Sequence, residues 1–180
     1  IYTSLISILF PGMSKINDEG EKVKALSRKS IRVLTYIIYP LMTGLLVVAE
    51  PLTIFLYTEK WIAMVPFVWV VCIEAIFSVP GTITLQSVKA MGYSDKMLKA
   101  EIFKKPILIL SIIIAMQYGV MAIALTLPLN TLLEFVINGV MAHKTVDYSI
   151  REQLWDCLPA TIMSVLMGAG VLLVAHLPLG

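Results

Sequence analysis

Apolar residues run in long blocks along this chain, and short polar segments separate them. A membrane-crossing helix needs about 20 mostly apolar residues. Five stretches meet that need, at 32–49, 62–88, 98–117, 120–142 and 157–177, and residues 1–13 read as the tail of a sixth span ending at Pro11-Gly12. The pattern predicts an all-α fold, a polytopic transmembrane helical bundle. The break between the third and fourth full spans rests on the Gln117-Tyr118-Gly119 turn. Without it, 107–127 alone would make one uninterrupted span and leave 129–142 too short to cross.

Composition excludes a soluble domain. Hydrophobic residues make up 58% of the 180 and charged residues 14%, against about 25% charged in an ordinary globular protein. A chain this apolar, with a mean hydropathy of +0.87, exceeds what a water-soluble fold of this size can hide. Beginning at Ile1 rather than Met, the chain reads as a piece of a longer protein.

Charge distribution is more informative than the net +2. Lys and Arg number six in residues 15–32, one in 50–61, five in 89–105, none in 117–119 and two in 143–156. The alternation follows every crossing, and by the positive-inside rule it places the rich loops, 15–31, 89–97 and 143–156, in the cytoplasm. Residues 19–32 also carry Val23, Leu26 and Ile31 among their charges, so part of that stretch is expected to lie as a helix on anionic headgroups. A nucleic-acid arm is not expected: Asp18, Glu19 and Glu21 dilute the charge and no aromatic residues interleave.

Three spans each carry one polar stripe. Glu74, Ser78, Thr82 and Gln86 recur every fourth residue, as do Thr126, Asn130, Glu134 and Asn138, and Thr35, Tyr39 and Thr43. Spacing by four keeps side chains on one slowly drifting helix face. Hydroxyls and amides there are expected either to bond neighbouring helices or to line a hydrated cavity. Carboxylates are costly inside a span, so Glu74 and Glu134 are the sharper cavity candidates. The span assignment leaves no Lys or Arg at mid-span to pair with them. Each is then protonated, water-exposed or paired with a cation from elsewhere in the protein. Pro40, Gly44, Pro80, Gly81 and Pro128 interrupt the same helices, and Ser164 and Gly168 form a small-xxx-small pair that predicts close helix packing.

Catalytic motifs are missing. The chain has no GxGxxG, no Walker lysine loop, no HExxH and no GxSxG. His143 and His176 are isolated, so no metal ligand set is expected, and Cys72 and Cys157 read as buried thiols. Asp147, Glu152 and Asp156, with Arg151, read as a solvated loop face and offer the one foothold for an enzyme.

With this topology in hand, several stretches resemble a known family. They are "LFPGMSKINDEGEKVKALSRKSIRVL" with "YPLMTGLLVVAEPLTIFLYTEKW", then "VKAMGYSDKMLKAEIFKK", and "YSIREQLWDCLPA" before the last span. All resemble bacterial polysaccharide flippases of the multidrug/oligosaccharidyl-lipid/polysaccharide exporter superfamily, nearest the lipopolysaccharide and O-antigen exporters. The resemblance implies half of a two-lobed transporter, this chain being most of the C-terminal lobe, in the bacterial inner membrane. It implies alternating access that flips an undecaprenyl-pyrophosphate-linked oligosaccharide, with no catalytic residue. No cofactor is implied, and a proton or sodium ion is the candidate coupling ion. Implied partners are the lipid-linked oligosaccharide, membrane lipids and the N-terminal lobe, with a polysaccharide polymerase and glycosyltransferases as further candidates. The basic residues Lys15, Lys22, Lys24, Arg28 and Lys29 are candidates for drawing the anionic headgroup to the cytoplasmic entrance, beside their topological role. Alternatives are a multidrug/cation antiporter or peptidoglycan-precursor flippase of the same superfamily, a membrane-embedded glycosyl- or acyltransferase, and a scaffold for polysaccharide assembly.

Overall fold

The computed structural model describes residues 20–176, and within them the side chains as far as residue 174. The expected partial span 1–13 and Lys15 lie outside the described residues. The helices are α1 (Gly20–Tyr57), α2 (Val65–Ala90), α3 (Ser94–Ala115), α4 (Val120–Val146) and α5 (Ile150–His176). Short 3-10 segments, Glu59–Met64 and Met116–Tyr118, lead into α2 and towards α4. No strand occurs among the described residues.

Four helices are long and apolar enough to cross a membrane: α1, α2 with its 3-10 lead, α4 and α5. Helix α3 is not among them. Asp95, Lys96, Lys99, Glu101, Lys104 and Lys105 fill its first half, and the apolar run begins only at Pro106. Helix α1 differs from expectation in the other direction. Its 38 residues are one continuous helix, about 57 Å long, well beyond a hydrocarbon core of about 30 Å. The basic stretch from Gly20 onward is therefore the projecting end of a spanning helix, not a separate helix on the headgroups. At its other end the expected 50–61 turn is helical as far as Tyr57. Between α3 and α4 the chain turns where Gly119 adopts φ +97°, a conformation that costs a residue without a Cβ little.

The helices pack in the order α5, α1, α2, α4, α3, each mainly on its neighbour in that row. The core holds Ile31, Leu34, Ile38, Val79, Ile83 and Ala160, all buried. Small residues set the closest approaches. A Cβ on Gly81 would sit 3.5 Å from the backbone of Phe135, and one on Gly168 would sit 2.9 Å from Thr43. The Ser164/Gly168 pair thus lies where α5 meets α1, and Ser164 turns its hydroxyl back to Ala160 O at 2.7 Å. One proline inside a helix is served by a neighbour. Pro80 has no N–H for the Ile76 carbonyl four residues back, and the Tyr39 hydroxyl of α1 donates to that carbonyl at 3.1 Å.

Helix alternation gathers the described basic segments at one end of the bundle. There Ser27 of α1 meets Ser87 of α2 with their hydroxyl oxygens 2.5 Å apart, and Lys24 reaches Glu152 of α5 at 3.0 Å.

Candidate functional site

Of the three polar stripes, two converge. Helix α4 turns its stripe towards both α2 and α3. On the α2 side, Thr131 donates to Glu74 at 3.2 Å, and the Asn138 amide donates to Gly81 O at 3.3 Å. On the α3 side, Asn130 donates to Ser111 Oγ at 3.0 Å and to Thr126 O at 2.7 Å. Glu74, Thr82 and Gln86 are half-buried and Ser78 is buried. Thr82 bonds its own helix at Ser78 O, 2.8 Å away, the local back-bonding that satisfies a hydroxyl without a partner helix.

The third stripe joins helices and does not face this seam. Tyr39 ties α1 to α2 as described, and Thr43 packs on α5 at Gly168. Thr35 is buried and bonds Ile31 O at 2.8 Å.

Sequence reading missed the principal cation. Lys104 counts there only as one of the five basic residues of 89–105, yet it is 5% exposed. Its ammonium lies 2.7 Å from Glu101 and donates to Asn138 Oδ1 at 3.4 Å. A chain of polar contacts therefore runs Glu101, Lys104, Asn138, Gly81 across three helices. Beside it a cavity of about 120 Å³ is lined by Glu101, Lys104, Lys105, Leu108, Asn130, Leu133 and Glu134. Glu134, exposed on α4, shares this cavity with two lysines, which corrects the expectation that no cation of this chain is available to it. The seam lies well inside the helices. Lys104 is about 16 Å along α3 from Ala115, and Asn130 and Glu134 are about 15 and 21 Å along α4 from Val120. The missed signal was α3's composition: a lysine a full ten residues inside a helix that packs on another cannot be a loop charge.

A second polar cluster lies at the basic end. Asp156 is 2% exposed, so it is no solvated loop acid. It accepts from Arg28 Nε at 2.8 Å and Nη2 at 3.1 Å, from Arg32 Nε at 2.9 Å and Nη2 at 2.6 Å, and from Tyr148 at 2.9 Å. Glu152 caps α5 reciprocally with Ser149: the Ser149 N–H donates to it at 2.9 Å, and Ser149 Oγ accepts from the Glu152 N–H at 3.2 Å. Lys24 and Arg28 are thus engaged by acids of α5, whereas Lys29 stands exposed on α1 beside an open groove that Arg32, Val33 and Tyr36 also line. Lys22 is exposed and takes part in contacts of its own. Among the described residues no group of three acid, histidine or cysteine side chains is placed to hold a metal ion.

A multi-pass helical membrane protein with a charged seam inside its bundle is the class these features define. Residues 1–66 match the family described as polysaccharide biosynthesis protein. Lipopolysaccharide biosynthesis protein WzxC of Escherichia coli (strain K12) is 29% identical over 136 residues, which covers 76% of this chain and 27% of that protein. An uncharacterized membrane protein in the cps region of Klebsiella pneumoniae is 35% identical over 66 residues, 37% of this chain and 14% of that protein. The chain therefore spans about a quarter or less of the length of these curated relatives. No solved structure matches it. The resemblance read in the sequence is borne out: this chain is similar to membrane proteins of polysaccharide biosynthesis.

Proposed function

We propose that this chain is one lobe of a transporter that flips an undecaprenyl-pyrophosphate-linked oligosaccharide across the bacterial inner membrane by alternating access. The observation that carries the reading is the polar seam of α2, α3 and α4, set well inside the helices of a chain similar to polysaccharide-biosynthesis membrane proteins. Ionisable groups inside a membrane are costly and mark pathways for polar cargo or ions. A polar oligosaccharide needs such a hydrated path, while its lipid tail stays in the bilayer. The protein acts without catalysing a covalent step on this reading, and the basic end of the bundle faces the cytoplasm. Lys29, exposed at that end, is the entrance residue best placed to meet an anionic headgroup, since Lys24 and Arg28 already serve α5.

The test is deletion of the full-length gene followed by extraction of the lipid-linked intermediates and assignment of their leaflet. The expected result is accumulation on the cytoplasmic side, relieved by the wild-type gene and not by a Glu74→Gln, Glu134→Gln double variant. Normal flux of lipid-linked units in the deletion strain would overturn the reading in favour of drug or cation antiport. Missing units would point to an enzyme upstream.

A further inference from the structure

Helices α1 and α5 run parallel, Lys24 lying by Glu152 and Thr43 by Gly168, and they face each other with charge ladders of unequal length. Lys24, Arg28 and Arg32 stand one turn apart on α1, and Glu152 and Asp156 stand one turn apart on α5. A spacing of four residues keeps each ladder on one helix face. Three cations against two acids permit two fully paired alignments. In the lower, Glu152 meets Lys24 and Asp156 meets Arg28. In the upper, Glu152 meets Arg28 and Asp156 meets Arg32. The structure stands between them. Glu152 is 3.0 Å from Lys24 and 4.0 Å from Arg28, and Asp156 is shared by Arg28 at 2.8 Å and Arg32 at 2.6 Å.

No bulky side chain of α5 fixes that alignment further along. The buried residues of α5 beyond Asp156, as far as side chains are described, are Cys157, Ala160, Ser164 and Gly168. All are small, and the last three again lie one turn apart, a smooth track where helices approach closely. Helix α5 is at the end of the row and packs mainly on α1. The corner that joins it to α4, residues 147–149, belongs to neither helix, and Asp147 there holds φ +52°. Loop residues of this kind absorb the backbone change when an element shifts. The contacts that oppose a shift are the Thr84 bond to Gln153 at 2.9 Å and the seat of Ile150 on Gly139.

We propose that α5 slides on α1 between two ion-paired registers roughly 6 Å apart, one helical turn, with Arg28 as the rung that both registers share. An exchange of acid–cation partners carries α5 from one to the other, the one-turn ratchet of one element past its neighbour. Each register leaves one cation surplus. In the lower it is Arg32, which with Lys29 lines the open groove on α1. In the upper it is Lys24, whose ammonium keeps the Asp147 carbonyl. The register therefore decides whether that groove carries a guanidinium released from its acid. The slide goes beyond the transport reading and depends on no substrate, so the two can fail separately.

The experiment uses the full-length protein in lipid nanodiscs, with spin labels on cysteines that replace Ala25 of α1 and Leu173 of α5. Both positions are exposed and they lie about 30 Å apart along the helix axes, so the label distance reads an axial slide. With its three cations intact, the protein is expected to show a distance distribution that spans both registers. Lys24→Gln leaves Arg28 and Arg32 and should move it to the long end. Arg32→Gln leaves Lys24 and Arg28 and should move it to the short end, the two means differing by about 6 Å. Arg28→Gln leaves Glu152 on Lys24 and Asp156 on Arg32 as the one full pairing, so its distribution should be narrow and lie between them. Lys24→Arg keeps the charge and should restore the broad distribution. Side chains 23%, 37% and 55% exposed at Lys24, Arg28 and Arg32 leave the fold intact when replaced. A narrow distribution with all three cations present, Lys24→Gln and Arg32→Gln at one distance or in the reverse order, or a broad distribution for Arg28→Gln would each overturn the proposal.

Discussion

Tyr39 and Asp156 show how single side chains serve backbone and charge that would otherwise be stranded. Tyr39 answers the carbonyl that Pro80 leaves open. Tyr39→Phe keeps the ring and removes the donor, so it should lower stability by about 1 kcal/mol, seen as a lower thermal midpoint of the full-length protein in detergent. Asp156 gathers two guanidinium groups and a phenol while itself being buried. Breaking a fully buried pair costs about 3–5 kcal/mol. Arg28 and Arg32 are 37% and 55% exposed on their side chains, so water can take them up in part. Asp156→Asn is therefore expected to cost about 2 kcal/mol, with Arg28→Gln adding little once Asp156 is gone. A double-mutant cycle on thermal midpoints checks that non-additivity.

Helix pairs are set by where small residues and polar stripes fall. At Gly139 a Cβ would collide with the Ile150 side chain where α4 meets the start of α5. Gly139→Ala should cost about 1–3 kcal/mol by overpacking, and Ile150→Ala in the same protein should recover most of it, because the obstructing carbons are then gone. Equal loss with and without Ile150→Ala would mean that the approach is not sterically limited there. The four-residue stripes of α2 and α4 were legible in the sequence because helix geometry is periodic. Which neighbour each stripe faces was not. The Tyr39 and Thr43 stripe looks like the other two on paper, yet it meets α2 and α5 instead of the seam. The polar seam itself was half visible. Glu74, Asn130, Glu134 and Asn138 announced themselves by lying within long apolar runs. Lys104 did not, because its own half-helix is charged and resembles a loop.

At the scale of the whole molecule, the row of helices puts the basic segments at one end and the 3-10 turns at Glu59–Met64 and Met116–Tyr118 at the other. The native thiols, Cys72 at 0% and Cys157 at 6% exposure, give little background for cysteine mapping. A membrane-impermeant maleimide should label Glu59→Cys and Tyr118→Cys in intact spheroplasts, and Lys29→Cys and Lys144→Cys only after the membrane is opened. Reversed labelling would invert the orientation, and labelling of all four in intact spheroplasts would break the topology.

By itself the sequence determined the class of the protein: an all-α bundle in a membrane, its alternation of charge and its polar stripes. Those properties follow from composition and short-range periodicity, which hydrocarbon thickness and helix geometry translate directly into spans and faces, while the likeness to polysaccharide-biosynthesis proteins is carried by particular loop-and-span stretches. Only the tertiary structure decided that α1 runs unbroken from its basic end through the bundle, that Asp156 binds residues 124 and 128 positions away, and that Lys104 turns inward to Glu101 and Asn138. The reason is physical: an ion pair between helices forms when packing brings both partners to one depth, and neither depth nor partner is encoded in the spacing along a single helix.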